Sequence, residues 1–251
     1  MALEYRATAD SLAADQPGRH EWFRETRFGR WFLGTEIWRR YVLTEALDTL
    51  TGIARCRVPH GCHILDLGCG HGTAAPLLET RFLPRRITGL DIDPELIDRG
   101  KALVDEAHLS VPIELRNGSA TAIPLADSSA DLVLCHQLLH HMVAQREALA
   151  EMHRVLRPGG LLLVAESCRN FIESKRVRLL FRHPAESQRN SDGYVDLIRA
   201  SGLQVEERDI ATESTWWSLP DLGLGRRLSD LAPSNVGGEP SEVLIVGERL
   251  P

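Results

Sequence analysis

The segment Ile64-Leu-Asp-Leu-Gly-Cys-Gly-His-Gly72 constrains this chain more than any other. An apolar run enters it from Cys62, Asp66 stands at the end of that run, and glycines follow at positions 68, 70 and 72. The pattern reads as a buried strand, a turn where a ligand can press against bare backbone, and the start of a helix. The helix is expected from about Thr73, a residue able to cap it. Pro76 falls in its first turn, where backbone N–H groups have no intrahelical partner.

The rest of the chain repeats this alternation. Arg86–Asp91 reads as a second strand, and Pro94–Ala107 as a helix opened by its proline, with Asp93 as the N-cap. Val111–Arg116 is a third strand. Asp131–Cys135 is a fourth, nearly all apolar, as expected when both faces of a parallel sheet are covered. A helix over Gln145–Leu156 stops at Arg157-Pro-Gly-Gly160, and Leu161–Ala165 is a fifth strand ending in Glu166. After a helix over Tyr194–Ala200, Leu203–Ile210 and Val243–Val246 supply two more strands. The fold class is therefore α/β, a doubly wound and mostly parallel seven-stranded sheet. Its ligand edge lies at the strands' carboxyl ends. Asp66, Asp91, Ser119 and His136 each fall at that edge, on or just past different strands.

A glycine turn of this kind also suits a dinucleotide, or no ligand at all. Asp66 weighs against a pyrophosphate, which wants helix N–H groups with no carboxylate beside them. A ligand with an ammonium and a sulfonium and no phosphate, such as S-adenosylmethionine, wants the opposite. Asp91 falls 19 residues after Gly72, where such a sheet places an acid that accepts from both hydroxyls of a ribose.

Composition limits the alternatives. A net charge of −6 gives no bulk attraction to nucleic acid, so none is expected as a partner. The five cysteines (Cys56, Cys62, Cys69, Cys135, Cys168) show no paired spacing, which fits reduced thiols in a cytoplasmic protein. No run is long and apolar enough for a membrane span, and the first residues lack the apolar core of a signal peptide.

Outside the alternating region the chain divides into an arm and helical cap over 1–56 and a larger unit over 57–251. Residues 1–18 read as a polar arm. Trp22, Phe23, Phe28, Trp31, Phe32, Trp38 and Tyr41 then crowd one short region, with a short helix expected over 20–33 and an amphipathic one over 35–52. Most of these aromatics are expected to pack, with Trp38 and Tyr41 as candidates to line a substrate pocket. Residues 169–189 carry six cations against two acids, with apolar residues interleaved, and read as a lid, a patch for an anionic surface, or a solvated helix face. Trp216 and Trp217 sit in a stretch rich in Gly, Pro and Ser, and are further substrate candidates.

Taken together, the motifs resemble class I S-adenosylmethionine-dependent methyltransferases, in the group that includes the quinone-biosynthesis C-methyltransferases. The likeness covers about residues 60–167. It rests on Ile64–Gly72, on Gly89-Leu-Asp-Ile-Asp-Pro94, on Gly118-Ser-Ala-Thr-Ala-Ile-Pro124 with Ser129-Ala-Asp-Leu-Val133, and on Arg154-Val-Leu-Arg-Pro-Gly-Gly160. The resemblance implies a Rossmann-like catalytic domain with S-adenosylmethionine as cofactor, and substrate-cap insertions within 168–240. It implies that Asp66, Gly68, Cys69 and Gly70 hold the methionine end of the cofactor and that Asp91 takes the ribose. Ile92, Gly118, Ser119 and Ala120 would then border the adenine, and His136 would face both cofactor and acceptor. Ser119 departs from the family, which usually carries an acid there.

The chemistry implied is methyl transfer to a small-molecule acceptor by in-line displacement, where a protein mainly supplies alignment. If the acceptor must lose a proton, His136, His140 and His141 are the candidate bases, and His140 is also a candidate substrate contact. A metal on these three histidines is not expected, since no carboxylate or thiolate lies at a sensible spacing. A nicotinamide-dependent dehydrogenase and a non-catalytic cofactor- or partner-binding protein of the same fold are the competing readings.

Overall fold

A computed structural model describes residues 25–54, 57–213 and 239–251. The polar arm, Trp22, Phe23, Cys56, Trp216 and Trp217 lie outside the described residues. The sheet is built from β1 (His63–Leu67), β2 (Arg86–Asp91), β3 (Ile113–Asn117), β4 (Ala130–His136), β5 (Leu156–Ser167), β6 (Leu203–Gln204), β7 (Ile210–Glu213) and β8 (Glu242–Arg249). Its order is β3-β2-β1-β4-β5-β8-β6, with β7 also paired to β8. The first five strands in that order are mutually parallel, and β8 runs antiparallel to β5, β6 and β7.

Seven strand positions are expected, and eight strands are present among the described residues because the strand anticipated over 203–210 is divided. β6 pairs with the carboxyl-terminal end of β8 and β7 with its amino-terminal half. Between them a 3₁₀ turn at Glu207–Asp209 closes a capping box with Glu206, local hydrogen bonding that competes with the ladder. β5 is longer than anticipated. It begins at Leu156, and an irregularity between Ala130 and Leu132 of β4 absorbs the Pro-Gly-Gly segment.

β1, buried along its whole length, pairs with β2 and β4 at the centre of the sheet. On one face, α3 (Thr44–Ala54) sets Ala46, Leu47, Leu50 and Ala54 against Ile64, Leu132, Leu134 and Leu163, together with Leu78 and Phe82 of α4 (Ala75–Phe82). On the other face, α6 (Gln145–Val155) and α9 (Ser191–Ala200) bury Leu149, Met152, Tyr194 and Ile198 against Leu65, Val133 and Val164. At about 25 cal/mol per Å² of apolar surface, this two-sided burial is the main stabilising contribution.

Two local expectations are corrected. Thr73 does not cap α4: the N-cap position is Ala74, with no side-chain bond, and a turn over residues 71–74 separates the glycines from the helix. The amphipathic helix expected over 35–52 has three parts: α2 (Glu36–Trp38), a π-helical segment (Arg39–Leu43) and α3. Asp93 caps α5 (Pro94–Glu106) as expected, its Oδ1 accepting from the Glu95 N–H at 3.0 Å. Among the described residues, no helix is long and apolar enough to cross a membrane.

Candidate active site

The turn after β1 carries Gly68, Gly70 and Gly72 at φ of +76°, +53° and +71°, a region that strains side chains with a Cβ. Their surroundings divide the work. A Cβ at Gly72 would press on Val104 and Leu115 at 3.1 and 3.2 Å, so Gly72 is a packing residue. A Cβ at Gly70 would meet nothing within 4 Å, and Gly70 lines the main cavity, so its bareness leaves room for a ligand. The turn is pinned to β2. The Leu90 carbonyl accepts from Gly68 and Cys69 at 2.8 and 3.2 Å, and Asp91 Oδ2 accepts from Gly70 N–H at 2.8 Å. The other Asp91 oxygen accepts from Asp93 N–H at 2.9 Å.

Asp66 and Asp91 face one apolar space. Burial first, and the neighbouring Asp91 second, push the Asp66 carboxyl up to about 7. Burial also raises Asp91, against the lowering effect of its backbone hydrogen bonds. Arg30 at the cavity wall is bound to Glu95 at 2.7 Å. Two desolvated carboxylates are relieved by a positive ligand and worsened by a pyrophosphate. The donor set and the bare Gly70 therefore fit S-adenosylmethionine.

Two cavities adjoin at Gly68, Asp91 and Ile92, one of about 190 Å³ and one of about 40 Å³. Asp66, Gly68, Cys69, Gly70, Asp91, Ile92 and His136 line the larger. Gly118, Ser119 and Ala120 line the smaller, with Gly68, Asp91 and Ile92 shared. All ten residues expected to contact cofactor thus converge, although they come from four separate strand ends. Ser119 Oγ is engaged locally, 2.8 Å from Thr121 Oγ1 and accepting from Thr121 N–H at 3.1 Å.

Four histidines, His136, His140, His141 and His183, also line the larger cavity. His136 ends β4. Its Nε2 is buried without a hydrogen-bond partner, and its ring meets Trp38 edge-on at 5.5 Å. Burial, then His140, push its pKa down to about 3, leaving it neutral and weakly basic. His140 sits in the 3₁₀ turn that follows, and its Nδ1 is 2.6 Å from Glu166 Oε2. The same carboxylate accepts from the backbone N–H groups of Leu138, Leu139 and His140, at 2.9, 2.6 and 3.3 Å. Glu166, fully buried at the end of β5, thereby sets the path of the chain after β4 and the orientation of the His140 ring.

The sequence reading missed three residues here. Glu166 looked only like the end of a strand. His183 and Glu25 gave no signal, because neither shares a motif with the others. His140, His141 and His183 stack with ring centroids 4.2, 5.0 and 4.7 Å apart. Glu25 Oε1 lies 3.6 Å from His141 Nδ1 and 3.8 Å from His183 Nε2. The carboxylate absent from the histidines' sequence neighbourhood is thus supplied by the fold. Burial raises Glu25 to about 7 and lowers His183 to about 3 and His141 well below the imidazole range.

Trp38 is among the residues that line the cavity, whereas Tyr41 is not, and Arg40 lies over the Tyr41 ring. Tyr41 lies within the π-helical segment, where i→i+5 bonding puts more residues in each turn. A residue three positions beyond Trp38 therefore falls off its face, and Leu43, five beyond, returns to the cavity. The basic stretch forms a wall of the same chamber. It folds as α7 (Arg169–Ile172) and α8 (Lys175–Leu180), with Phe171, Ile172, Val177 and Phe181 on the cavity and Leu179 82% exposed outside. Phe181 meets Phe28 and Phe32 of α1 (Arg27–Phe32) edge-on at 5.7 and 6.0 Å. Arg169 and Arg189 bond inward, to the Gln188 carbonyl at 2.6 Å and to Gln145 Oε1 at 2.7 Å. The four described cysteines are buried and free, with thiols raised by burial, which leaves them poor nucleophiles.

With this turn, these carboxylates and this strand order, the chain carries a class I S-adenosylmethionine-dependent methyltransferase domain, and its cofactor is S-adenosylmethionine. Residues 65–164 match the family described as "Methyltransferase domain". The O-methyltransferase resE of Aspergillus sclerotiorum is 33% identical over 66% of this chain and 63% of its own length. The 27-O-demethylrifamycin SV methyltransferase of Amycolatopsis mediterranei is 28% identical over 68% of this chain and 64% of its own. The chain thus spans a little under two thirds of the length of these curated relatives. A crystal structure of a SAM-dependent methyltransferase from Aquifex aeolicus shares the fold, with a TM-score of 0.62 at 15% identity, covering 87% of this chain and 96% of that one.

Proposed function

We propose that this protein transfers a methyl group to a hydroxyl of a small, largely apolar acceptor bound between the glycine turn and the histidine end of the chamber. The observation that carries this reading is the continuity of one cavity. The residues suited to the cofactor and the histidine cluster line the same space, which Phe32, Trp38 and Phe181 line as well. The cofactor, when bound, supplies a sulfonium-borne methyl that an acceptor oxygen displaces in line, breaking the C–S bond as the O–C bond forms and leaving S-adenosylhomocysteine and a proton. Asp66 takes the cofactor's ammonium and Asp91 its ribose hydroxyls. Ile92, Gly118, Ser119 and Ala120 enclose the adenine. The aromatic wall excludes water and orients the acceptor. His136, neutral and packed on Trp38, positions rather than titrates, and the acceptor's proton is lost at the end where Glu166 orients His140. Two relatives named for O-methylation support an oxygen acceptor.

The test is release of S-adenosylhomocysteine by the purified protein with S-adenosylmethionine and a panel of phenols and aliphatic alcohols. Release dependent on one class of acceptor is the expected result. Tight cofactor binding with no release from any acceptor, including amines and thiols, would favour the non-catalytic reading instead.

Cofactor binding also carries a pH signature. Asp66 is raised to about 7 from its ordinary 3.8, with Asp91 and the thiols of Cys69 and Cys135 as the titratable groups facing it. The stability this proton confers is fully present below the unfolded value and is lost as pH rises through about 7. Cofactor affinity runs the other way, because the ammonium needs the ionised carboxylate. Calorimetry should show S-adenosylhomocysteine binding strengthened about tenfold between roughly pH 6 and pH 8, and Asp66→Asn should flatten that slope. A wild-type affinity independent of pH would remove Asp66 from the ammonium site.

A further inference from the structure

We propose that His140, His141, His183 and Glu25 form a binding site for a first-row divalent transition cation at the end of the acceptor chamber. Its place in the reaction rests on the methyltransferase reading above, whereas its existence does not.

Geometry carries the proposal. The three imidazoles offer one nitrogen each, all within 4.8 Å of one another. Metal–nitrogen bonds of about 2.0–2.1 Å put tetrahedral ligands roughly 3.4 Å apart, so the set has to draw in by little more than about 1 Å on binding. Glu25 Oε1 is already 3.6 Å from His141 Nδ1 and 3.8 Å from His183 Nε2. Glu25 Oε1 and His141 Nδ1 are both buried and make no hydrogen bond of good geometry, and the Arg182 backbone beside both residues is only a weak substitute. Buried polar atoms left this way are costly unless something else satisfies them. The other Glu25 oxygen is engaged by Thr26 N–H at 3.0 Å, and its neighbour Gly29 admits this arrangement, since a Cβ there would lie 2.2 Å from Glu25 Oε2.

The surroundings of His140 are a second, independent observation. Its Nδ1 faces Glu166 at 2.6 Å, leaving Nε2 as the free donor atom. An imidazole tied by its other nitrogen to a buried carboxylate is the usual outer arrangement of a metal-ligating histidine. Three nitrogens and one oxygen select zinc, cobalt, nickel or ferrous iron over magnesium or calcium. The Arg182 backbone also favours the ionised Glu25, after burial and Thr26 in weight, and the charge of Arg182 is the smallest influence on it. A cation here faces the chamber, and as a Lewis acid it would favour acceptors presenting a hydroxyl, or two adjacent oxygens, to the histidine end.

The test is a titration of the chelator-treated full chain with Co²⁺, followed by visible absorption, with S-adenosylhomocysteine calorimetry in parallel. The expected result is one equivalent of Co²⁺ bound with the bands of a four- or five-coordinate site and displaced by Zn²⁺. His183→Gln and His141→Asn should each weaken binding on the order of 100-fold, and Glu166→Gln about tenfold. Using two histidine variants keeps the result readable if one fails to fold, which circular dichroism reports. The proposal is overturned if wild type shows no such bands, or if both folded histidine variants bind Co²⁺ as it does. Cobalt binding without S-adenosylhomocysteine binding would sustain the metal site and sink the methyltransferase reading. The reverse would overturn the metal site alone.

Discussion

Asp91→Ala is expected to lower S-adenosylhomocysteine affinity by two to three orders of magnitude while the chain stays folded. Two hydrogen bonds that the carboxylate accepts from the ribose hydroxyls, at the lower end of about 1.5–3 kcal/mol each, account for roughly 3–4 kcal/mol. The loss has a second source. Asp91 also accepts from Gly70 N–H at 2.8 Å and from Asp93 N–H at 2.9 Å, so its removal loosens the glycine turn and the start of α5 together. Global stability changes little by comparison, because burial destabilises the Asp91 carboxylate and its removal relieves that cost. Calorimetry of wild type and variant, with thermal unfolding as the control, measures both effects. Affinity within tenfold of wild type would take the ribose away from Asp91.

Glu166→Ala should be the most destabilising substitution among the site residues, at about 3–5 kcal/mol. The side chain is fully buried, and its loss strands the N–H groups of Leu138, Leu139 and His140 together with His140 Nδ1. For a chain of this size that corresponds to a fall in Tm of roughly 6–20 °C. Because the same carboxylate orients His140, turnover at a temperature where the variant is folded should fall as well, by about 10²–10⁴ if the acceptor's proton leaves at that end. Thermal unfolding and steady-state kinetics are the measurements. A fall in Tm below about 2 °C would mean that the turn after β4 is held by something other than Glu166.

Much of the cofactor half of the site was legible in the chain because each part is local. The glycines, Asp66 and the strand before them are contiguous. Asp91 lies at a set distance along the chain, and a doubly wound sheet must bring the carboxyl ends of adjacent parallel strands to one edge. The misreadings have equally local causes. α-Helical spacing puts Tyr41 on the face of Trp38, and the π-helical turn at Arg39–Leu43 breaks that spacing. The split between β6 and β7 follows from a capping box that a run of apolar and polar letters does not display.

The acceptor half was hidden for a different reason. Glu25 and His183 reach His140 and His141 from opposite directions along the chain, across contacts with no periodicity to announce them. Glu25 is placed by a helix cap in which Thr26 Oγ1 accepts from Gly29 N–H at 2.9 Å. His183 is placed by α8 packing Phe181 onto Phe28 and Phe32. Sequence by itself determined the alternation of strand and helix, the turn that receives the cofactor, and the two carboxylates that choose a cationic ligand over a phosphate. Those are consequences of hydrophobic period and backbone freedom, which act over a few residues. Only the tertiary structure decided which histidines meet, which carboxylate stands among them and what walls the chamber, since long-range packing alone brings residues 25, 140, 166 and 183 to one place.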